Sequence, residues 1–198
     1  MEDYLLDALK AKYSDYLRLV GCRVVYSLDD GTKIDFIYEK ENFIHLAGLH
    51  KLKDIQLIQF YNDKLNKSVK AKDVLRKIKN EDFTEAMIKR SSEFPKIEKR
   101  YNNLTYEKLT SMSYTDAIIN FNPVSLNSSI KSNYLLFEQE DTGYNHLGIA
   151  LDSTVPKRYI ETFFHEPSKK YITGQTVVKI VKFSLYDSKG NLIVEDTF

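Results

Sequence analysis

Tyr134-Leu-Leu-Phe-Glu-Gln-Glu-Asp-Thr-Gly-Tyr-Asn-His-Leu-Gly-Ile-Ala-Leu151 holds two β-rich runs, Tyr134–Gln139 and His146–Leu151, on either side of Asp141-Thr-Gly143. Runs of this length, bounded by turn residues, read as an antiparallel pair. Tyr159–His165, Val177–Tyr186 and Leu192–Glu195 follow at hairpin spacing, with turns at Pro156 and at Ser188-Lys-Gly190-Asn191. Upstream, Asp116–Phe121 is a short apolar run closed by Asn122-Pro123, and the polar Ser125–Ser132 segment reads as a surface loop. From Tyr114 onward the chain therefore reads as extended.

The first half reads differently. Asp3–Val20 spaces Tyr4, Leu5, Ala8, Leu9, Tyr13, Tyr16, Leu17 and Val20 by threes and fours, which predicts an amphipathic helix with Gly21 as its stop. Arg23–Ser27 and Lys33–Tyr38 flank Asp30-Gly31, a strong hairpin signal because glycine supplies the positive φ needed there. Asp54–Leu65, Ala71–Ile78 and Asp82–Arg90 read as helices, the last capped by Asp82, and Pro95 opens another that runs to Leu109 with a break at Asn102-Asn103. The expectation is an α+β fold of one domain over 1–198. An N-terminal helix and β-hairpin and central helices fill 1–110, and a C-terminal antiparallel sheet of four to five strands fills 114–198.

Composition narrows the function classes. An apolar fraction of 42% and a charged fraction of 29% are ordinary for a globular protein. No apolar run approaches the roughly 20 residues of a membrane span, and no secretory signal opens the chain. The single cysteine, Cys22, excludes an internal disulfide and a cysteine-rich zinc site, so a reducing cytoplasm is the expected setting. A net charge of +1 argues against nonspecific coating of nucleic acid. Charge is nevertheless uneven: 66–101 carries eleven Lys/Arg against six Asp/Glu, whereas 138–152 carries four acids and no Lys or Arg. That polarity would steer a phosphate-bearing ligand, although a solvated helical face explains the lysines equally well.

The stretch Asn42-Phe-Ile-His-Leu-Ala-Gly-Leu-His-Lys-Leu52 sets two of the four histidines, His45 and His50, among apolar residues around Gly48. Histidine exchanges protons near neutrality, its unperturbed pKa being about 6.5, so the stretch suits an active site; it also suits a core element with histidines at its edge. On one helix the two rings would point about 140° apart, which is poor metal-ligand spacing. The phosphate-loop, dinucleotide-turn and zinc-helix motifs are all missing from the chain, and no metal or cofactor is expected. Metal-free acid–base chemistry remains. RNA cleavage of that kind needs a base for the ribose 2′-hydroxyl, an acid for the leaving 5′-oxygen and a cation for the phosphorus centre. His45 or His165 would serve as acid or base, Glu161 as an alternative base, and Arg158, Lys169 or Lys170 as the phosphate cation. In Tyr159–His165 strict alternation puts Tyr159, Glu161, Phe163 and His165 on one face, as either a functional strand or a charged edge strand.

The 42–52 stretch, following a hairpin that ends Ile34-Asp-Phe-Ile-Tyr38, resembles phage-associated members of the Barnase–EndoU–colicin–RelE nuclease group. Those are small domains, often encoded on mobile elements, with N-terminal helices followed by a four-stranded antiparallel sheet. The resemblance implies a catalytic role for His45 and, by position on its strand, for His165; the hairpin at Val24–Tyr38 is additional to the group's minimal pattern. It further implies a ribonuclease of a phage or mobile element, a toxin or effector acting on RNA, tRNA included, with an antitoxin partner. The alternative, suited by the many tyrosines and phenylalanines, is a non-catalytic phage or mobile-element protein that binds and inhibits a host protein.

Overall fold

The computed structural model describes residues 7–63, 65, 68–110, 114–122, 128, 130–151 and 158–198. The start of the expected first helix, Pro123, half of the Ser125–Ser132 loop and the turn at Pro156 lie outside the described residues. The chain divides into two compact units, Met1–Leu19 with Lys40–Tyr106, and Val20–Glu39 with Glu107–Phe198.

The first unit is helical. Helix α1 (Ala8–Leu17) starts at Asp7, whose carboxylate accepts from the N–H groups of Leu9 at 3.1 Å and Lys10 at 3.4 Å. The same carboxylate accepts from Glu85 N, which ties down the start of α5 (Glu85–Lys89). The α5 cap is Thr84 and not Asp82. The N–H groups of Asp82 and Phe83 both donate to Lys77 O, so that segment closes the end of α4 (Ala71–Lys79) instead of opening a helix. Helix α2 (Asn42–Leu46) buries Phe43, Ile44 and Leu46, and the Phe43 ring packs 5.0 Å from Tyr13 and 5.4 Å from Tyr16 of α1. Helix α3 (Gln56–Asn62) is shorter than the expected 54–65 run, because the Asp54 carboxylate accepts from Ser91 and Ser92 rather than from its own first turn. The Pro95–Leu109 run becomes a 3-10 turn at Phe94–Lys96, α6 (Glu98–Asn103) and α7 (Tyr106–Leu109), with extended backbone at Leu104 between the last two; from Glu107 on, α7 belongs to the second unit.

The second unit corrects the expected fold class. The early hairpin, β1 (Arg23–Leu28) and β2 (Lys33–Ile37), is not separate from a C-terminal sheet of four to five strands. It belongs to one eight-stranded sheet in the order β2-β1-β7-β3-β4-β5-β6, with β8 also on β7. The remaining strands are β3 (Asp116–Ile119), β4 (Tyr134–Glu140), β5 (Gly143–Leu151), β6 (Arg158–Glu166), β7 (Thr176–Tyr186) and β8 (Leu192–Thr197), and every recorded pairing is antiparallel. The physical reason is β7, eleven residues long. Its backbone groups need partners along their whole length, and β3 takes Thr176–Lys179 while β1 takes Ile180–Tyr186. The end strands β2 and β6 then meet. Arg158 Nη1 of β6 lies 2.7 Å from Asp35 Oδ1 of β2, and the sheet is nearly closed into a barrel. Inside it Tyr26 packs 5.2 Å from Phe183 and 6.3 Å from Tyr114. On the other face of β4 and β5, Ile118, Phe121, Leu135, Phe137 and Tyr144 form a second apolar cluster under Tyr171 and Ile172.

Candidate active site

Gly48 decides the geometry around the two histidines of the first unit. Its φ of 75° ends α2 in the left-handed conformation, and the chain re-enters a 3-10 turn at Leu49–Lys51. A continuous helix would splay His45 and His50; the reversal at Gly48 instead sets their ring centroids 4.6 Å apart. The turn is also tight, since a Cβ on Gly48 would meet Arg100 Cδ at 2.9 Å and Ile97 Cγ2 at 3.1 Å. Arg100, buried on α6, donates from Nη1 to His45 O at 3.4 Å and so holds the end of α2. From α3, Tyr61 Oη hydrogen-bonds His45 Nε2 at 3.2 Å.

Electrostatics separate the two rings. His45 is exposed, whereas His50 is half-buried. Burial, reinforced by the positive charges of His45, Arg100 and Lys51, lowers the His50 pKa to about 3, so its imidazole is neutral at physiological pH. Desolvation and the charge of Arg100 push the Lys51 ammonium down as well. The site therefore joins an accessible histidine, a neutral one, a tyrosine and at least two cations, a set suited to proton transfer beside a phosphate.

His165 lies in the second unit, in a different polar network. Its side chain is 1% exposed, with Nδ1 4.0 Å from Glu140 Oε2. Nε2 donates to Thr142 O at 3.1 Å, and Nδ1 lies 3.1 Å from Asn145 Oδ1. Asn145 donates through Nδ2 to Glu138 Oε1 at 2.9 Å, which fixes the amide's orientation. Lys108 of α7 bridges Glu138 at 2.8 Å and Glu140. Burial opposes the Lys108 charge, but its hydrogen bonds to the two glutamates outweigh burial and hold its pKa above the usual lysine value.

The other expected residues are placed apart from this network. The β5–β6 register shifts between Gly148 and Ile149, pairing Thr162 with one and Ile160 with the other, so Glu161 has no opposite partner. This bulge overrides strict alternation, and the Glu161 carboxylate accepts from Lys131 N and from Ser132 Oγ at 2.6 Å. Arg158 pairs with Asp35 and lies over the Tyr134 ring. Lys169 and Lys170 are exposed in the turn after β6, where Lys170 Nζ sits 5.1 Å from the Tyr171 ring centre.

Tyr61, Arg100, Lys108, Glu138, Glu140 and Asn145 escaped the reading of the sequence. Two of them carried a signal: Glu138 and Asn145 are polar residues at inward positions of buried strands, where a polar side chain needs a partner. Among the described residues no three His, Cys, Asp or Glu side chains gather as a metal-holding group, and no helix is long and apolar enough to cross a membrane.

Comparison with known proteins agrees with the resemblance noted on 42–52. Neither curated proteins nor solved structures return a match. A family model does: PBECR4, described as phage-Barnase-EndoU-ColicinE5/D-RelE like nuclease4, matches residues 8–196. With almost the whole chain covered, from α1 to β8, the protein belongs to this family of phage-associated nucleases.

Proposed function

We propose that the protein is a metal-independent ribonuclease of a phage or mobile element, a toxin or effector that cleaves RNA, with tRNA among its substrates. The observation that carries this reading is the exposed His45 set against neutral His50, with Tyr61 on its ring nitrogen and Arg100 and Lys51 beside it. In the reaction, His45 removes the 2′-hydroxyl proton, and the oxygen attacks phosphorus to form a 2′,3′-cyclic phosphate. The P–O5′ bond breaks, and the 5′-oxygen leaves with a proton returned by the same histidine or by solvent. The cations stabilise the extra charge on the phosphorane. His165 is the second acid–base candidate, with Glu161 as an alternative base and Arg158, Lys169 and Lys170 as phosphate contacts. The family match spans both units, which supports a reading in which 1–198 acts as one nuclease domain.

The test is cleavage of total RNA and tRNA by purified protein in EDTA, with His45→Ala and His165→Ala beside the wild type. The expected result is cleavage that survives EDTA and falls by about 100-fold or more in His45→Ala. Loss in His165→Ala alone moves the chemistry to the Glu138–Lys108 network. A folded wild type that cleaves nothing overturns the reading in favour of a protein that binds a host partner.

A further inference from the structure

Charge divides by unit. The first unit carries 18 Lys/Arg against 13 Asp/Glu, and the second 11 against 15. Part of the first unit's surplus gathers on α4, which holds Lys72, Arg76, Lys77 and Lys79 against one acid, Asp73. Val74, Leu75 and Ile78 bury the inner face of α4, which packs on α1 and α3. Lys72, Arg76 and Lys79, at spacings of four and three, share one outer stripe, and all three are exposed. Arg76 Nη2 reaches Asp73 Oδ1 at 3.3 Å, but with the arginine side chain 69% exposed the pair is weak. Among the described residues Lys72 and Lys79 have no ion pair.

A face that serves solvation alone alternates acids with bases, because like charges three or four residues apart destabilise a helix. The α4 stripe instead repels itself along its length, and Asp73 offsets Arg76 alone. The helix dipole favours Lys79 in the last turn but disfavours Lys72 in the first. An extended polyanion lying along the stripe relieves that repulsion. Neighbouring cations stand about 5–6 Å apart, close to the interval between successive phosphates of one strand. Each phosphate neutralised also releases counterions. The exposed positions of α4 are all cationic, so the stripe offers no apolar side chain to insert into a lipid surface.

We infer that the Lys72, Arg76 and Lys79 stripe docks the phosphate backbone of RNA, recognising charge and not sequence. The inference rests on the ribonuclease reading in that RNA is the ligand. Helix α3, against which α4 packs, carries the Tyr61 that hydrogen-bonds His45, so the stripe and that histidine belong to one unit.

The test is fluorescence anisotropy of a short labelled RNA of mixed sequence, titrated at several salt concentrations. Every 2′-hydroxyl is methylated, so the probe binds but cannot be cleaved. Lys72→Gln/Arg76→Gln/Lys79→Gln should weaken binding about tenfold or more at low salt and flatten the log–log salt slope by about 2, the value for three single-strand phosphate contacts. Lys72→Gln and Lys79→Gln alone should each flatten it by about 0.7, which keeps the test open should the triple variant unfold. Lys33→Gln/Lys182→Gln/Lys189→Gln removes the same charge from the second unit and should bind like the wild type. An unchanged slope in the stripe variants, or an equal loss in the second-unit variant, overturns the stripe. So does stripe-dependent binding to phosphatidylserine vesicles with RNA binding unaffected, which would assign the face to a membrane. If the wild type cleaves RNA and the slope ignores the stripe, the stripe falls and the ribonuclease reading stands. If RNA binding depends on the stripe and no RNA is cleaved, the ribonuclease reading falls and the stripe stands.

Discussion

His146 is the residue whose environment fits its chemistry least. It is fully buried on β5, stacked 4.8 Å from Phe164 and 5.9 Å from Phe137 and Tyr171, and neither ring nitrogen has a hydrogen-bond partner among the described residues. Burial, with a smaller contribution from His165, lowers its pKa to about 3. The unfolded chain therefore binds a proton that the folded chain refuses between about pH 6.5 and pH 3. Stability is full above that window and is lost as pH falls through it, by about 1.4 kcal/mol per unit. His50 adds in the same direction, less because it is half-buried. His146→Phe should remove two orphaned polar atoms and the titration together. Urea unfolding should then show a gain of about 1 kcal/mol at pH 7 that widens toward pH 5. A variant that is less stable at both pH values would show that an unseen partner satisfies the ring. In the sequence His146 is only the first residue of a strand; its burial depends on Phe164 and Tyr171, which are distant in the chain.

At the scale of elements, the 42–52 stretch shows how one turn converts a spacing into a site. The apolar pattern and both histidines are legible, but a 140° splay holds only on one continuous helix, which the left-handed Gly48 ends. Gly48→Ala would impose a positive φ on a β-carbon and press it against Arg100 and Ile97. The expected outcome is a loss of about 1–3 kcal/mol in stability, with RNA cleavage falling more than the lost stability explains, because the His45–His50 pair opens. Wild-type cleavage by a folded Gly48→Ala protein would detach the turn from the chemistry. The β6 bulge teaches the same lesson. Alternation grouped Glu161 with His165, and a register shift that belongs to the β5 pairing separated them.

At the scale of the whole sheet unit, closure depends on a charge cluster between its end strands. Burial raises the Asp35 pKa, but the hydrogen bonds and charges of Arg23 and Arg158 outweigh this and hold it below the usual aspartate value. Its contribution is present above the unfolded aspartate pKa of about 3.9 and is lost as pH falls through the lower folded value. Asp35→Asn should cost about 1 kcal/mol, because the pairs are partly exposed, and less in high salt. Amide exchange should quicken in β2 and β6 together. Faster exchange in β2 alone would mean that the two edges are not energetically joined.

Local order was settled by the sequence: turn residues at Asp30-Gly31 and Asp141-Thr-Gly143, and β-rich runs between turns for the strands, because such preferences act over a few residues. The apolar 42–52 stretch likewise sufficed for the family resemblance. Tertiary structure alone decided that the early hairpin joins the late strands on β7 and that Lys108 reaches Glu138. It alone put the Tyr61 hydroxyl of α3 against the His45 ring. Each of these is a pairing between groups whose partners the local pattern does not name. Long-range closure is selected by the total burial and hydrogen bonding it satisfies, which no single window of sequence contains.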